Sequence, residues 1–203
     1  MIILITGTPG TGKTSITSIL SDKTKCKPVN LSKLVLDEEL AVPDPSGRET
    51  LVLDNVEYLV KQLDRLLEKE KCLIIDTHYP SIIQPLASKL ELVVVLRTQP
   101  QILYERLTRR KWSPRKVVEN VEAEFIGIVR SEVDELNLGK GKLLVIDTSK
   151  LDSDEAASLV LKCLENPREC GEAGISEVDW TIHEPSVRFV LSLISSIDSN
   201  QNG

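Results

Sequence analysis

Residues Met1 to Thr14 read MIILITGTPGTGKT, a short apolar run that passes directly into a glycine-rich stretch ending in lysine and threonine. No other feature restricts the fold of this chain as much. The run Ile2 to Thr6 is apolar without alternation and largely β-branched, the pattern of a strand buried on both faces of a parallel sheet. Gly7 to Thr14 match G-x-x-x-x-G-K-[ST], a motif that needs a strand in front of it and a helix behind it. Glycines at 7, 10 and 12 let the main chain curl so that its N–H groups point inward and form a nest for phosphate oxygens. The helix that follows adds its positive N-terminal pole. Lys13 can reach the β- and γ-phosphates, and the Thr14 hydroxyl can ligate Mg2+. These residues specify a nucleoside triphosphate site.

Three more apolar runs follow: CLIID (72–76), ELVVVLR (91–97) and KLLVID (142–147). Between them lie stretches with helical spacing. Leu53, Val56, Leu59, Val60, Leu63, Leu66 and Leu67 fall on one stripe. A helix opens at Ser113, a plausible N-cap, with Pro114 in its first position, and its apolar face runs through Val117, Val121, Phe125, Ile128, Val129, Val133 and Leu136. Another opens after Thr98, read as its cap, with Pro100 in the first turn. Strands alternating with helices predict a three-layer α/β sandwich around a central parallel sheet. Residues 31–51 fit no simple crossover. They hold a short helix-like piece and the turn-rich AVPDPSGRET, and they read as an insertion over the carboxyl edge of the sheet. The tail after Pro167 starts polar, then regains helical spacing from Pro185 through Val187, Val190, Leu191 and Ile194.

A chain of 203 residues suits one domain with an appendage. At 41% hydrophobic and 28% charged it is globular rather than disordered. No apolar run approaches the ~20 residues that span a membrane. The start lacks the basic segment of a signal peptide, so the cytoplasm is the expected location, or the nucleus in a eukaryote. Cys26, Cys72, Cys163 and Cys170 lack metal-site spacing. They are expected to be reduced structural thiols, with Cys163 and Cys170 the most local pair for a bridge. The net charge of −6 excludes wholesale nucleic-acid binding. Residues 151–203 hold ten acids and three bases, a net of −7, which leaves +1 for residues 1–150. Contact with nucleic acid therefore rests on local patches.

Asp76 ends an apolar run that would lie beside the phosphate loop, where a carboxylate holds Mg2+, usually through water; a helix cap is the plain alternative. His78 stands two residues on. With an ordinary pKa near 6.5 it can be neutral and orient a water or couple with the ion site, or it can fill space at a strand end. His183, alone in the tail, reads as structural. No N-K-x-D motif for guanine occurs, and the length does not suit a motor of the AAA type with its helical lid domain. Arg106 to Lys116 hold six basic residues in eleven positions and no acid. Arg106 and Arg110, four apart, share one helix face. Arginines there can stabilise charge spreading over a transferring phosphoryl group, and a hinged basic segment can close and exclude water. A solvated basic face and an RNA-binding patch with Trp112 for stacking are the other readings.

GTPGTGKT, LIIDTH, VVVLRT and LYERLTRRKWSPRKVVENVEAE together resemble the adenylate kinase isoenzyme 6 family over roughly residues 1–166. The resemblance implies a P-loop nucleoside monophosphate kinase-like fold for residues 1–166 and leaves 167–203 as an extra C-terminal helical tail. Residues from about 30 to 53 would form the monophosphate-binding insertion and 109–119 the lid. It implies ATP and Mg2+ as cofactors, AMP as acceptor, ATP hydrolysis and formation of two ADP. A role in small-ribosomal-subunit assembly also follows, with a ribosomal protein of the S-eleven type as partner and rRNA contact through the basic lid. A housekeeping nucleoside monophosphate kinase without a ribosomal role is the alternative. By position, Pro9, Gly10, Thr11, Gly12, Lys13, Thr14 and Ser15 would bind ATP, Thr14 and Asp76 the metal, and Arg110 would contact ATP from the lid. Lys13, Asp76, His78, Arg106 and Arg110 would carry the chemistry. Leu36 stands where an arginine for the AMP phosphate is expected, with Lys33 and Arg48 as candidate substitutes.

Overall fold

The computed structural model describes residues 1–43, 51–53, 55–138, 142–167, 170 and 178–201. In chain order these form β1 (Ile2–Gly7), α1 (Lys13–Thr24), β2 (Lys27–Asn30), α2 (Leu31–Asp37), β3 (Ala41–Pro43), β4 (Leu51–Leu53), α3 (Val56–Glu70) and β5 (Leu73–Asp76). A 3-10 segment follows (Pro80–Lys89), then β6 (Leu90–Arg97), α4 (Pro100–Arg109), α5 (Pro114–Ile126), α6 (Ile128–Asp134), β7 (Leu143–Asp147), α7 (Ser153–Glu165) and α8 (Glu184–Gln201). Five strands make one sheet in the order β2-β5-β1-β6-β7, and each pairing in it is parallel. The phosphate-loop strand is therefore central. Its neighbours β5 and β6 follow one another in the chain yet lie on its opposite sides, the switch-point arrangement at which open α/β sheets bind ligands.

Along β1, Ile2 and Leu4 join a core with Leu59, Leu63 and Val133 on one face, while Ile3 and Ile5 join Ile16, Leu20 and Val160 on the other. All four are fully buried. Helices thus cover both faces, as the unbroken apolar runs predict. Trimming Leu4 to alanine would cost about 2–5 kcal/mol.

Four strands match the sequence expectation, and other elements depart from it. β2 was not anticipated, because Val29 alone of Lys27, Pro28, Val29 and Asn30 is buried and the segment has no apolar run. The turn-rich stretch contributes β3, which pairs antiparallel with β4; residues 44–50, Arg48 included, lie outside the described residues. Leu53 consequently belongs to a strand, and α3 begins after Asn55, whose side chain accepts from the Tyr58 amide at 2.9 Å. The single helix expected from Ser113 through Leu136 is broken at Gly127, at φ +75. A Cβ there would be strained and would sit 3.3 Å from Arg97 Nη1, so glycine allows both the bend and the close approach.

The thiol expectation is corrected on both pairs. Cys26 bonds to Cys72 and Cys163 to Cys170. The first ties the residue before β2 to the residue before β5, at the amino edge of the sheet. It closes a separation of 46 residues and the second closes 7, so loop-closure entropy assigns them about 4 and about 2.5 kcal/mol.

α8 packs across α4 and α5, with Val190 buried against Leu103, Leu107, Val117 and Val121. No helix among the described residues is long and apolar enough to cross a membrane.

Candidate active site

The carboxyl ends of β1, β2, β5 and β6 bring the chemistry-bearing side chains to one edge. Gly7 has φ +142, and a Cβ on it would lie 2.4 Å from the Leu96 carbonyl oxygen; only glycine lets the loop leave β1 so close to β6. At Gly10, φ +100, a Cβ would strike Leu103 and Leu107, so α4 packs directly on the loop. Gly12 caps α1 at φ +103. Thr11 is buried and donates its hydroxyl to the Thr8 carbonyl at 2.9 Å. Pro9 is half-buried and Ser15 exposed.

Lys13 is buried, with its ammonium donating to the carbonyls of Gly7 at 2.8 Å and Thr8 at 3.2 Å. Burial lowers its pKa to about 8, opposed by the Asp76 charge, reinforced by Arg110 and opposed by Glu124.

Asp76 is buried and receives the Thr14 hydroxyl at 2.7 Å and the Asn30 amide at 3.2 Å. Strand register explains the second contact, because Asn30 pairs with Asp76 across β2 and β5. The Asn30 side chain also caps α2 by accepting from the Lys33 amide. A hydroxyl and a carboxylate beside a phosphate cradle are hard oxygen donors, the set Mg2+ takes alongside phosphates and waters. Thr14 and Asp76 therefore fit that ion.

No hydrogen bond links His78 to Asp76 among the described residues. The imidazole instead leans on the Tyr79 ring, centroids 3.9 Å apart. Burial lowers its pKa to about 4, with the charges of Lys13 and Lys116 adding to the effect. It is neutral at pH 7 and close enough to Lys13 to feel its field. His183 sits in the tail, paired with the Ser186 hydroxyl at 2.8 Å.

Arg106 and Arg110 take different places. Arg106 donates to the Thr148 carbonyl at 2.8 Å and approaches the Gly10 carbonyl at 3.5 Å, so its guanidinium braces the loop from the side of β7. Thr98, read as a helix cap, is buried and shares a 2.8 Å hydrogen bond with the Thr148 hydroxyl; Gln99 holds the cap position. Arg110 is exposed at the end of α4 and near enough to Lys13 to lower its pKa. Between α4 and α5, Lys116 covers one face of Trp112 at 4.3 Å, and Ser113 caps α5 by accepting from the Lys116 amide.

Glu124, the last residue of the segment LYERLTRRKWSPRKVVENVEAE, was given no role by the sequence, yet it lies at this edge. Glu124 is 1% exposed and its carboxylate accepts from Arg97 Nε at 2.8 Å, the Thr98 amide at 2.9 Å and the Thr8 hydroxyl at 2.6 Å. A glutamate in a charged helical stretch reads from sequence as a solvated face. Its place beside Val117, Val121 and Phe125 on the buried stripe, and its position in the N-x-E-x-E of Asn120, Glu122 and Glu124, were the signals available.

The chain matches the AAA domain family over residues 3–127, from β1 to the end of α5. It is 34% identical over 181 residues to a protein named putative adenylate kinase from Methanocaldococcus jannaschii, covering 89% of this chain and 93% of that one. A relative with the same name from Saccharolobus solfataricus is 31% identical over 202 residues, covering 100% of this chain and 99% of that one. This second alignment covers the whole of this chain, residues 167–203 included. The fold is shared with thymidylate kinase from Candida albicans, at a TM-score of 0.51 and 18% identity over 82% of this chain and 92% of that one. The parallel sheet with helices on both faces is thus of the P-loop nucleoside monophosphate kinase-like type.

Proposed function

The chain belongs to the AAA domain family matched over residues 3–127, and we propose that it is an adenylate kinase-like enzyme that takes ATP with Mg2+ and transfers its γ-phosphoryl group to AMP. The observation that carries this reading is the convergence of Lys13, Thr14 and Asp76 at the mouth of the glycine loop, with Thr14 bonded to Asp76 at 2.7 Å. Names given to the archaeal relatives support the acceptor.

Loop amides would hold the β- and γ-phosphate oxygens, and Lys13 would leave its two carbonyl partners to face the transferring group. Thr14 and Asp76 would hold Mg2+, which when bound supplies positive charge against the polyphosphate. An oxygen of the AMP phosphate forms the new bond to the γ-phosphorus while the bond to the β-phosphate oxygen breaks, so ATP and AMP become two ADP. Arg110 would come over the phosphates when the basic segment 109–119 closes as a lid; Arg106 would hold the loop in shape. The segment 30–53 would receive AMP. Leu36, where an arginine is expected, is 56% exposed on α2, and Lys33 is the cation on that helix that would meet the AMP phosphate.

With water as acceptor the same site would hydrolyse ATP, and neutral His78 would orient that water. The resemblance to the isoenzyme 6 family extends the proposal to small-subunit assembly, with a ribosomal protein of the S-eleven type as partner and the exposed bases of the lid segment meeting rRNA. Product identity tests both layers. Two ADP per ATP should appear with AMP present, and slower ADP plus phosphate without it, at a rate that changes when the ribosomal protein is added. Indifference to that protein leaves a housekeeping kinase. Failure to consume ATP under any of these conditions overturns the kinase.

A further inference from the structure

The Glu124 carboxylate joins three parts of the chain that are far apart in sequence. On one oxygen it accepts from Thr8 in the phosphate loop at 2.6 Å. On the other it accepts from Arg97 and Thr98 at the end of β6, and from the indole N–H of Trp180 at 3.2 Å. Arg97 in turn donates to the main-chain carbonyls of Glu124 at 2.7 Å and Val178 at 3.0 Å. Trp180 is 5% exposed, so its N–H needs a buried acceptor and has one.

The Thr8 end of this network leads directly to the cation. The hydroxyl of Thr8 is given to Glu124, which fixes the orientation of the residue whose carbonyl accepts from the Lys13 ammonium at 3.2 Å, the Thr11 hydroxyl at 2.9 Å and the Thr11 amide at 3.3 Å. The tail is anchored on its side as well. Ser186, fully buried at the start of α8, donates to Gln101 on α4 at 3.3 Å, and the Cys163–Cys170 bridge pins the chain beyond Asn166 to α7.

We infer that Glu124 is a positioning residue for the phosphate loop, and that Trp180 makes the C-terminal segment part of the nucleotide site by fixing that carboxylate. Losing the indole N–H leaves one buried carboxylate oxygen with fewer donors. The carboxylate then reorients, and Thr8 and the loop around Lys13 follow. The tail therefore sets the affinity of the loop for nucleotide. This rests on the proposed kinase reading.

The test is a double-mutant cycle in the full chain with Thr8→Val and Trp180→Phe, which keeps an aromatic ring and removes the N–H. Each single change should raise the KM for ATP about fivefold, the scale of residues sharing one hydrogen-bond network, with kcat changed by less than about twofold. The double variant should be no worse than the poorer single one. Glu124→Gln in place of Trp180→Phe gives a second cycle with the same expectation. Effects that multiply, an unchanged KM with lowered thermal stability, or loss of the fold in every variant would overturn the inference and leave Glu124 to stability alone. The wild-type arm separates the two claims, because a well-folded wild type without ATP turnover overturns the kinase reading itself.

Discussion

Thr14 on α1 gives its hydroxyl hydrogen to Asp76 at the end of β5 across 2.7 Å. The two side chains come from residues 62 apart in sequence and meet because β1 and β5 are neighbours in register, with Ile5 opposite Asp76. With Asn30 donating to the same oxygen, the carboxylate is held at the mouth of the loop. Asp76→Asn keeps an acceptor for Thr14 and removes the charge. Stability should stay within about 1 kcal/mol. Turnover should fall about 10²-fold or more, and the Mg2+ concentration for half-maximal rate should rise, as a magnesium titration of the initial rate would record.

Lys13 makes the site dependent on pH in the alkaline range. Its folded pKa of about 8 lies below the ordinary 10.5, so between those values the unfolded chain binds more protons and this group favours folding more as pH rises. A polyphosphate beside the amine favours the charged form, so ATP association above pH 8 should take up a proton that it does not need at pH 7. Calorimetry in two buffers of different ionisation enthalpy at pH 9 should report close to one proton more per ATP than at pH 7. Equal uptake at both values would contradict the assignment.

His78 is the acidic counterpart. With a folded pKa of about 4 against 6.5, the unfolded chain binds the extra proton between these values, so the contribution to stability is present above pH 6.5 and lost as pH falls toward 4. His78→Asn should flatten that part of the stability profile. Hydrolysis of ATP in the absence of AMP should drop about tenfold or more in His78→Ala, with ATP affinity held within about threefold. Unchanged hydrolysis would assign the imidazole to packing against Tyr79.

The Cys26–Cys72 bridge lies at the edge of the sheet opposite the loop. Replacing both cysteines with serine should lower unfolding stability by about 2–4 kcal/mol, read from a denaturant midpoint, while the rate per folded molecule is retained.

How much of this was legible in the sequence depends on whether the signal was local. The loop declares itself because its phosphate contacts need glycines, lysine and threonine at fixed spacing, and β1, β5 and β6 because both of their faces are buried. β2 offered only Val29 and a proline, too little to mark a strand. Gly127 went unread because the apolar stripe continues on both sides of it, and the close approach of Arg97, 30 residues away in sequence, leaves no local signal. The pairing of Cys26 with Cys72 follows from strand order, which no spacing rule carries. The role of Glu124 was hidden for the same reason, since its partners come from the phosphate loop, the end of β6 and the tail.

Calorimetric titration of the folded protein with ATP at millimolar Mg2+, beside a Lys13→Ala variant, tests the central claim most directly. One site should appear in the wild type and vanish in the variant, whose fold is preserved because a buried, desolvated ammonium has been removed. No heat of ATP association in well-folded wild-type protein, or equal binding by the variant, would contradict a site built from the glycine loop, Lys13, Thr14 and Asp76.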